Sequence, residues 1–288
     1  MTNDTDLTMD TFIYDENFKQ ELRQDLHPFG EVTFLESLAE PGMTALDIGA
    51  NKGLSTVAIA KNVRPRGRVF AFEPVPEYHK NLETNLAGNN VDNVRTYQFA
   101  LGGQNGRIDY YKNGGGSGIV PQEGAEKLSV EVVTLDHFAD KEKLKTIDLI
   151  SMDCEGSELM VMEGGKQILQ SEPLKLFCEI HRSYLESLGQ TLDDIVKWLE
   201  DHDFEVTPVF VDDLDKKVGY EECTHIFASH EQNDQDIDEE IKKLEKELSD
   251  LEARWPAHST PPSMIQEREE LEEKLEEAKH RKTSGNSP

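Results

Sequence analysis

The sequence predicts an α/β fold with a doubly wound, mostly parallel sheet, and three observations carry that reading. First, the apolar run Ala45–Ile48 leads into two glycines four apart, Gly49 and Gly53, and then into a helical pattern at Leu54, Val57, Ala58 and Ile59: strand, tight turn, helix. Second, the next apolar run, Arg68 to Phe72, ends on the carboxylate of Glu73, 20 residues after Gly53. In a βαβ unit both strand ends open on one edge of the sheet. Third, two later buried-type runs, Ile147–Met152 and Leu174–Ile180, end on Asp153 and His181.

The elements follow in order. Residues 1–25 are polar and acidic with scattered aromatics (Phe12, Tyr14, Phe18), which reads as a frayed lead-in or a partly ordered lid. Glu31–Ala39 is a short helix stopped by Pro41-Gly42. Met43–Ile48, Arg68–Glu73 and Val94–Leu101 are strands, separated by helices at Leu54–Asn62 and Tyr78–Leu86. Gly102–Gly118 contains a strand-like Arg107–Tyr111, and Gly114-Gly115-Gly116-Ser117-Gly118 reads as a flexible hairpin tip in preference to a gating loop. Leu128–Val133 is a strand. Leu159–Leu169 is a helix with a weak spot at Glu163-Gly164-Gly165, and Leu192–Asp201 is an amphipathic helix. After Ser229, Ile237, Ile241, Leu244, Leu248 and Leu251 step by 4, 3, 4, 3, the seam of a coiled coil. Pro256 and Pro261-Pro262 interrupt it before a second such helix, suggesting an antiparallel helical hairpin. The division expected is a lead-in or lid at 1–30, a catalytic domain at 31–230 and an acidic coiled-coil tail at 231–288.

The turn selects the nucleoside. A dinucleotide site carries G-x-G-x-x-G with pyrophosphate on the helix N-terminus, whereas this chain has Gly49-Ala50-Asn51-Lys52-Gly53 preceded by Asp47. A carboxylate there repels a pyrophosphate and suits a cation, which favours S-adenosylmethionine, with its sulfonium and ammonium, over a nicotinamide dinucleotide.

Asp47-Ile-Gly-Ala-Asn-Lys-Gly53, Phe72-Glu-Pro-Val-Pro76, Phe99-Ala-Leu-Gly102, Thr134-Leu-Asp136 and Leu149-Ile-Ser-Met-Asp-Cys-Glu-Gly-Ser-Glu158 occur in that order. Over roughly Pro41 to Pro208 the set resembles the FkbM family of S-adenosylmethionine-dependent methyltransferases. The resemblance implies a class I methyltransferase fold, Rossmann-like, with a seven-stranded sheet closed by an antiparallel hairpin, here Glu205–Val211 and Cys223–Ala228. It also implies O-methylation of a hydroxyl on a small molecule or sugar.

Strand ends then nominate the site. Glu73 is placed on the ribose hydroxyls. Gly49 and Gly53 let the cofactor approach the backbone, Asp47 and Asn51 hydrogen-bond its methionine moiety or the waters around it, and Ala100 and Leu101 lie near the adenine. Asp153 is positioned to take a proton, orient the acceptor or bind the cofactor's ammonium. Glu155 shapes the acceptor pocket, while Glu158 is an acid favoured by a helix dipole. His181 has the chemistry of a general base and equally that of a strand-end cap. Glu179 has the alternation of an inward-facing structural partner, His27 is a candidate on a lid over the pocket, and Cys154 is packing. Asp153, Glu155 and Glu158 offer oxygen ligands, but no Asp-Asn pair follows the next strand, so no metal is expected.

Composition bounds the partners. The 288 residues hold 58 acidic and 30 basic side chains, a net charge of −28, which opposes binding to nucleic acid or an anionic membrane. Three cysteines without a C-x-x-C pair, no signal-like start and no long apolar run suggest a soluble cytoplasmic protein. A homodimer through the tail is compatible with the narrow seam, and a cofactor-fold scaffold acting through that tail is the alternative to an enzyme.

Overall fold

The computed structural model describes residues 10–171, 173–213, 219–230 and 234–254, and isolated positions between 264 and 279. The chain divides into two units, Met1–His230 and Glu231–Pro288.

In the first unit, seven strands form one sheet: β1 (Thr44–Ile48), β2 (Arg68–Phe72), β3 (Val94–Tyr97), β7 (Leu149–Met152), β8 (Lys175–Glu179), β9 (Phe204–Val209) and β10 (His225–His230), in the order β3-β2-β1-β7-β8-β10-β9. All neighbours are parallel except the β8–β10 and β10–β9 pairs. The order reverses between β1 and β7, and ligands bind at such a switch point in open α/β sheets. The central strands are buried along their length, as a sheet covered on both faces requires. Ala45, Leu46, Leu149, Ile150, Leu176 and Cys178 are fully enclosed.

Helices α3 (Leu54–Asn62), α4 (Pro76–Gly88), α5 (Leu135–Glu142), α6 (Glu158–Gly164), α7 (Arg182–Ser187) and α8 (Leu192–Glu200) connect the strands. α8 starts where the sequence places it because Thr191 and Asp194 form a capping box. α6 stops at Gly164, the anticipated weak spot, and a 3-10 turn at Ile168–Gln170 follows. Asp136 holds that turn by accepting from the backbone N–H groups of Gln167 (3.1 Å) and Ile168 (2.9 Å).

Three expectations need correction. The strand foreseen over Val94–Leu101 is broken: β4 (Ala100–Leu101) leaves the main sheet and pairs with β6 (Glu126–Val133), which pairs with β5 (Gly106–Lys112) in a separate three-stranded sheet. The described part of the lead-in is not frayed. Asp15 caps α1 (Glu16–Leu22), and Phe12, Phe18 and Leu22 are buried in a cluster with Val57, Leu82 and Leu86. The helix foreseen at Glu31–Ala39 begins earlier, as α2 (Leu26–Leu38), and so runs across residue 30. Residues 1–9 lie outside the described residues.

In the second unit, α9 spans Asp234–Ala253. Leu244 and Leu251 are buried, and Lys279 pairs with Glu245 at 3.0 Å and Arg254 with Glu267 at 3.9 Å. The turn foreseen at Pro256 and Pro261-Pro262 lies outside the described residues. Among the described residues no helix is long and apolar enough to cross a membrane.

Candidate active site

The carboxyl ends of β1, β7 and β8 and the first turns of α2 surround a cavity of about 840 Å³. The turn after β1 forms one wall. Gly49 sits at φ 90°, and a Cβ there would lie 1.8 Å from the Asp153 carbonyl oxygen. Only glycine allows β1 and β7 to open side by side at this height. Asn51 occupies the left-handed region (φ 46°) and its Oδ1 is buried without a partner.

Asp47 lines the cavity but is tied to α3, whose Ser55 hydroxyl donates to its Oδ2 at 2.8 Å, as does the Thr56 hydroxyl. Burial pushes its pKa up to about 6, against the hydroxyl bonds that favour the anion. Glu73 stands just outside the cavity lining. The backbone N–H of Asn51 donates to its Oε2 (2.9 Å) and that of Val75 to its Oε1 (2.7 Å). Burial raises it to about 7 despite both bonds. Glu73 therefore shapes the glycine turn directly, and each of its oxygens keeps a second lone pair. Gly53 caps α3 at φ 92°. Ala100 and Leu101, in β4, are not among the residues lining the cavity; Leu101 is in the core.

The opposite wall is built after β7 and β8. Asp153 turns into the cavity with its Oδ1 buried and without a hydrogen-bond partner, 3.8 Å from His181 Nδ1. Burial, with the charges of Glu179 and Glu155, holds its carboxyl well above the usual range. Glu155 is buried in the left-handed region (φ 50°), and its Oε2 lies 3.3 Å from His181 Nε2. Glu158 is structural: its Oε1 accepts from the N–H groups of Cys154 (3.3 Å) and Gly156 (3.0 Å). Burial opposes charge on His181, but its bond to Glu179 (3.3 Å) and the carboxylates of Asp153, Glu179 and Glu155 outweigh it, raising the imidazole well above its ordinary value. Cys154 is a high-pKa thiol, raised chiefly by burial, in keeping with packing.

The glycine loop 114–118 leans on this wall. Gly115 lines the cavity, and the Tyr110 hydroxyl donates to the Ser117 carbonyl at 2.7 Å. Hydrogen bonds anchor this segment, so its glycines serve close approach as well as a turn.

The sequence reading missed Glu31, Asp212 and His225. His225 is fully buried at the start of β10, directly opposite Glu179 in the antiparallel register. Its Nε2 lies 2.9 Å from Glu31 Oε1. His27, the lid candidate, does reach the cavity: its Nε2 is 3.5 Å from Glu179 and its Nδ1 3.4 Å from Asp212. The bond to Glu179 raises it to about 9. Starting α2 at Leu26 rather than Glu31 would have shown His27 and Glu31 four apart on one helix face.

The family model "Methyltransferase FkbM domain" matches residues 47–206. The chain is 33% identical over 151 residues to a 2-O-methyltransferase, NoeI, of Sinorhizobium fredii, covering 46% of this chain and 61% of that one. It is 31% identical over 153 residues to methyltransferase sdnD of Sordaria araneosa, covering 41% and 59%. It is also 25% identical over 176 residues to the hexuronic acid methyltransferase AglP of Haloferax volcanii, covering 58% and 70%. The chain thus spans about three fifths of the length of the first two relatives.

Proposed function

The chain belongs to the FkbM methyltransferase family, and from that premise we propose that it moves a methyl group from S-adenosylmethionine to a hydroxyl oxygen of a small molecule or glycan. The residues fit the cofactor. The Gly49 turn leaves room where a Cβ would not, Asn51 Oδ1 is a buried acceptor with no partner, and Glu73 retains lone pairs for two ribose hydroxyls. Ala100 and Leu101, which like Glu73 stand outside the cavity lining, we keep as the neighbours of the adenine. When bound, the cofactor supplies a methyl group already activated by its sulfonium.

What remains for the protein is to align the acceptor, exclude water and hold the proton released as the C–O bond forms. Asp153 is the residue we assign to that proton. The observation that carries this is its Oδ1, buried at the switch-point edge without a hydrogen-bond partner. His181 Nδ1 stands 3.8 Å from it, and Glu155 lines the same wall, where we assign it to shaping the acceptor pocket. NoeI is named a 2-O-methyltransferase, which favours an oxygen acceptor, and AglP a hexuronic acid methyltransferase, which favours a sugar-like one.

The test is calorimetric titration with S-adenosylmethionine and S-adenosylhomocysteine, with NADH and Glu73→Ala as controls. Binding of both sulfur nucleosides, weakened in Glu73→Ala and absent for NADH, is expected; no binding to either overturns the reading.

We also propose residues 1–30 as a lid element, 31–230 as the catalytic domain and 231–288 as a coiled-coil hairpin that pairs two copies in the cytoplasm. The 4-3 spacing, the burial of Leu244 and Leu251 and the pairs between 245 and 279 and between 254 and 267 support the hairpin. Sedimentation equilibrium of the full chain over a concentration series reads the pairing, a monomer throughout overturning it.

A further inference from the structure

We propose that His27, Glu31, Glu179 and His225 form a binding site for a divalent transition-metal ion on the cavity wall. The four side chains each offer one ligand atom, all within 4.8 Å of one another. His225 Nε2 is 2.9 Å from Glu31 Oε1 and 4.0 Å from Glu179 Oε2, and His27 Nε2 is 3.5 Å from Glu179 Oε1. A tetrahedral ion with bonds of about 2.0–2.2 Å places neighbouring ligand atoms about 3.3–3.6 Å apart, so small shifts seat these four around one centre.

Three independent features fit a ligand set better than a chance cluster. The first is orientation. Each ring presents Nε2 to the cluster while its Nδ1 faces an oxygen outside it: Thr224 Oγ1 at 3.0 Å for His225, Asp212 Oδ1 at 3.4 Å for His27. Metal-ligating histidines are held in this way by their second nitrogen. The second is rigidity. Glu179 and His225 are cross-strand partners, and the His225 ring stacks on Phe177 at 4.7 Å and 5°. α2 is brought against the segment that follows β9 at Gly30, where a Cβ would lie 1.8 Å from the Val211 carbonyl oxygen. That close approach delivers His27 and Glu31. The third is charge. Among the described residues, seven carboxylates line the cavity against one lysine, Lys52, and three histidines, His27, His181 and His225. A dication answers that imbalance.

Two imidazoles with two carboxylates suit Zn²⁺, Mn²⁺ or Fe²⁺; magnesium and calcium take all-oxygen sets. The site departs from the metal-free expectation drawn from Asp153, Glu155 and Glu158, because all four of its ligands come from segments outside that motif. If the ion expanded to a fifth position facing the acceptor hydroxyl, it would polarise that hydroxyl so that its proton leaves more readily; that use rests on the methyl-transfer reading. The binding does not.

The experiment is therefore run without cofactor or acceptor. The full chain is stripped with chelator, checked by circular dichroism and titrated calorimetrically with Zn²⁺ and with Mn²⁺, alongside His225→Asn, Glu31→Gln and Asp212→Asn. About one ion per chain is expected, with affinity down about 100-fold in the first two variants and about 10-fold in Asp212→Asn. Asp212 is exposed, so that variant reads the site even where the buried changes disturb folding. Absence of saturable binding of either ion, or an affinity that all three folded variants leave unchanged, overturns the proposal.

Discussion

Asp153 Oδ1 and His181 Nδ1 face each other across 3.8 Å, both buried and neither with a hydrogen-bond partner. The gap is too long for a direct bond, and it opens onto the cavity beside the glycine turn. Such a pair is costly to bury unless something comes between or beside it. An acceptor hydroxyl is a group of the right size and polarity.

Asp153→Asn keeps the shape and removes the proton acceptor. Turnover is expected to fall by about 100-fold or more, the range for a lost general base, while S-adenosylhomocysteine still binds. Steady-state kinetics and calorimetry on the same preparation check it. A loss of binding equal to the loss of rate would make Asp153 a cofactor ligand instead.

Gly49→Ala is compared with Gly42→Ala. Both glycines have positive φ, 90° and 97°, so both variants carry backbone strain of about 1–3 kcal/mol. A Cβ at 42 meets nothing within 4 Å, whereas at 49 it strikes the Asp153 carbonyl. Denaturant melts should show Gly49→Ala the less stable, with cofactor binding lost only there.

Glu73 makes stability depend on pH in a definite direction. Its pKa rises from an ordinary 4.5 to about 7 in the fold, because of burial. The native state then holds the proton more tightly than the unfolded chain. This contribution is complete below about 4.5 and is lost as pH rises through 7. Glu73→Gln cannot titrate. The difference between variant and parent should therefore move in the variant's favour by on the order of 3 kcal/mol from pH 4 to pH 8. Urea melts at both values read it, and no movement, or movement the other way, contradicts the assignment.

Asp136→Ala separates a structural carboxylate from a functional one. Asp136 belongs to the Thr134-Leu-Asp136 motif, yet its contacts are the N–H groups of Gln167 and Ile168. Loss of about 1–2 kcal/mol of stability is expected, with unchanged cofactor affinity. A calorimetric Kd shifted more than about tenfold, 1.4 kcal/mol, would place it in the site.

Local chemistry was legible wherever a short segment dictates its own backbone. Asp47 to Gly53 reads as a turn because glycines stand where φ is positive, and α8 begins at Leu192 because Thr191 and Asp194 cap it. The strand ends carrying Asp47, Glu73, Asp153 and His181 follow from the period and the right-handed crossover. The break after Tyr97 was not legible, because Ala100–Leu101 is as apolar as a continuing strand and only pairing with β6 draws it away.

The ordered motif run from Asp47 to Glu158 was thus sufficient for the family, the doubly wound sheet and one wall of the cavity, since each motif encodes a local backbone state. Folding alone decided the other wall. Glu31 and His225 are 194 residues apart and meet at 2.9 Å, and no local periodicity relates them. Their meeting requires α2 to press Gly30 against Val211 and β10 to run antiparallel to β8 in the register that sets His225 against Glu179. Those are long-range packing choices, made where the burial of whole faces, rather than the preference of any single residue, sets the free energy.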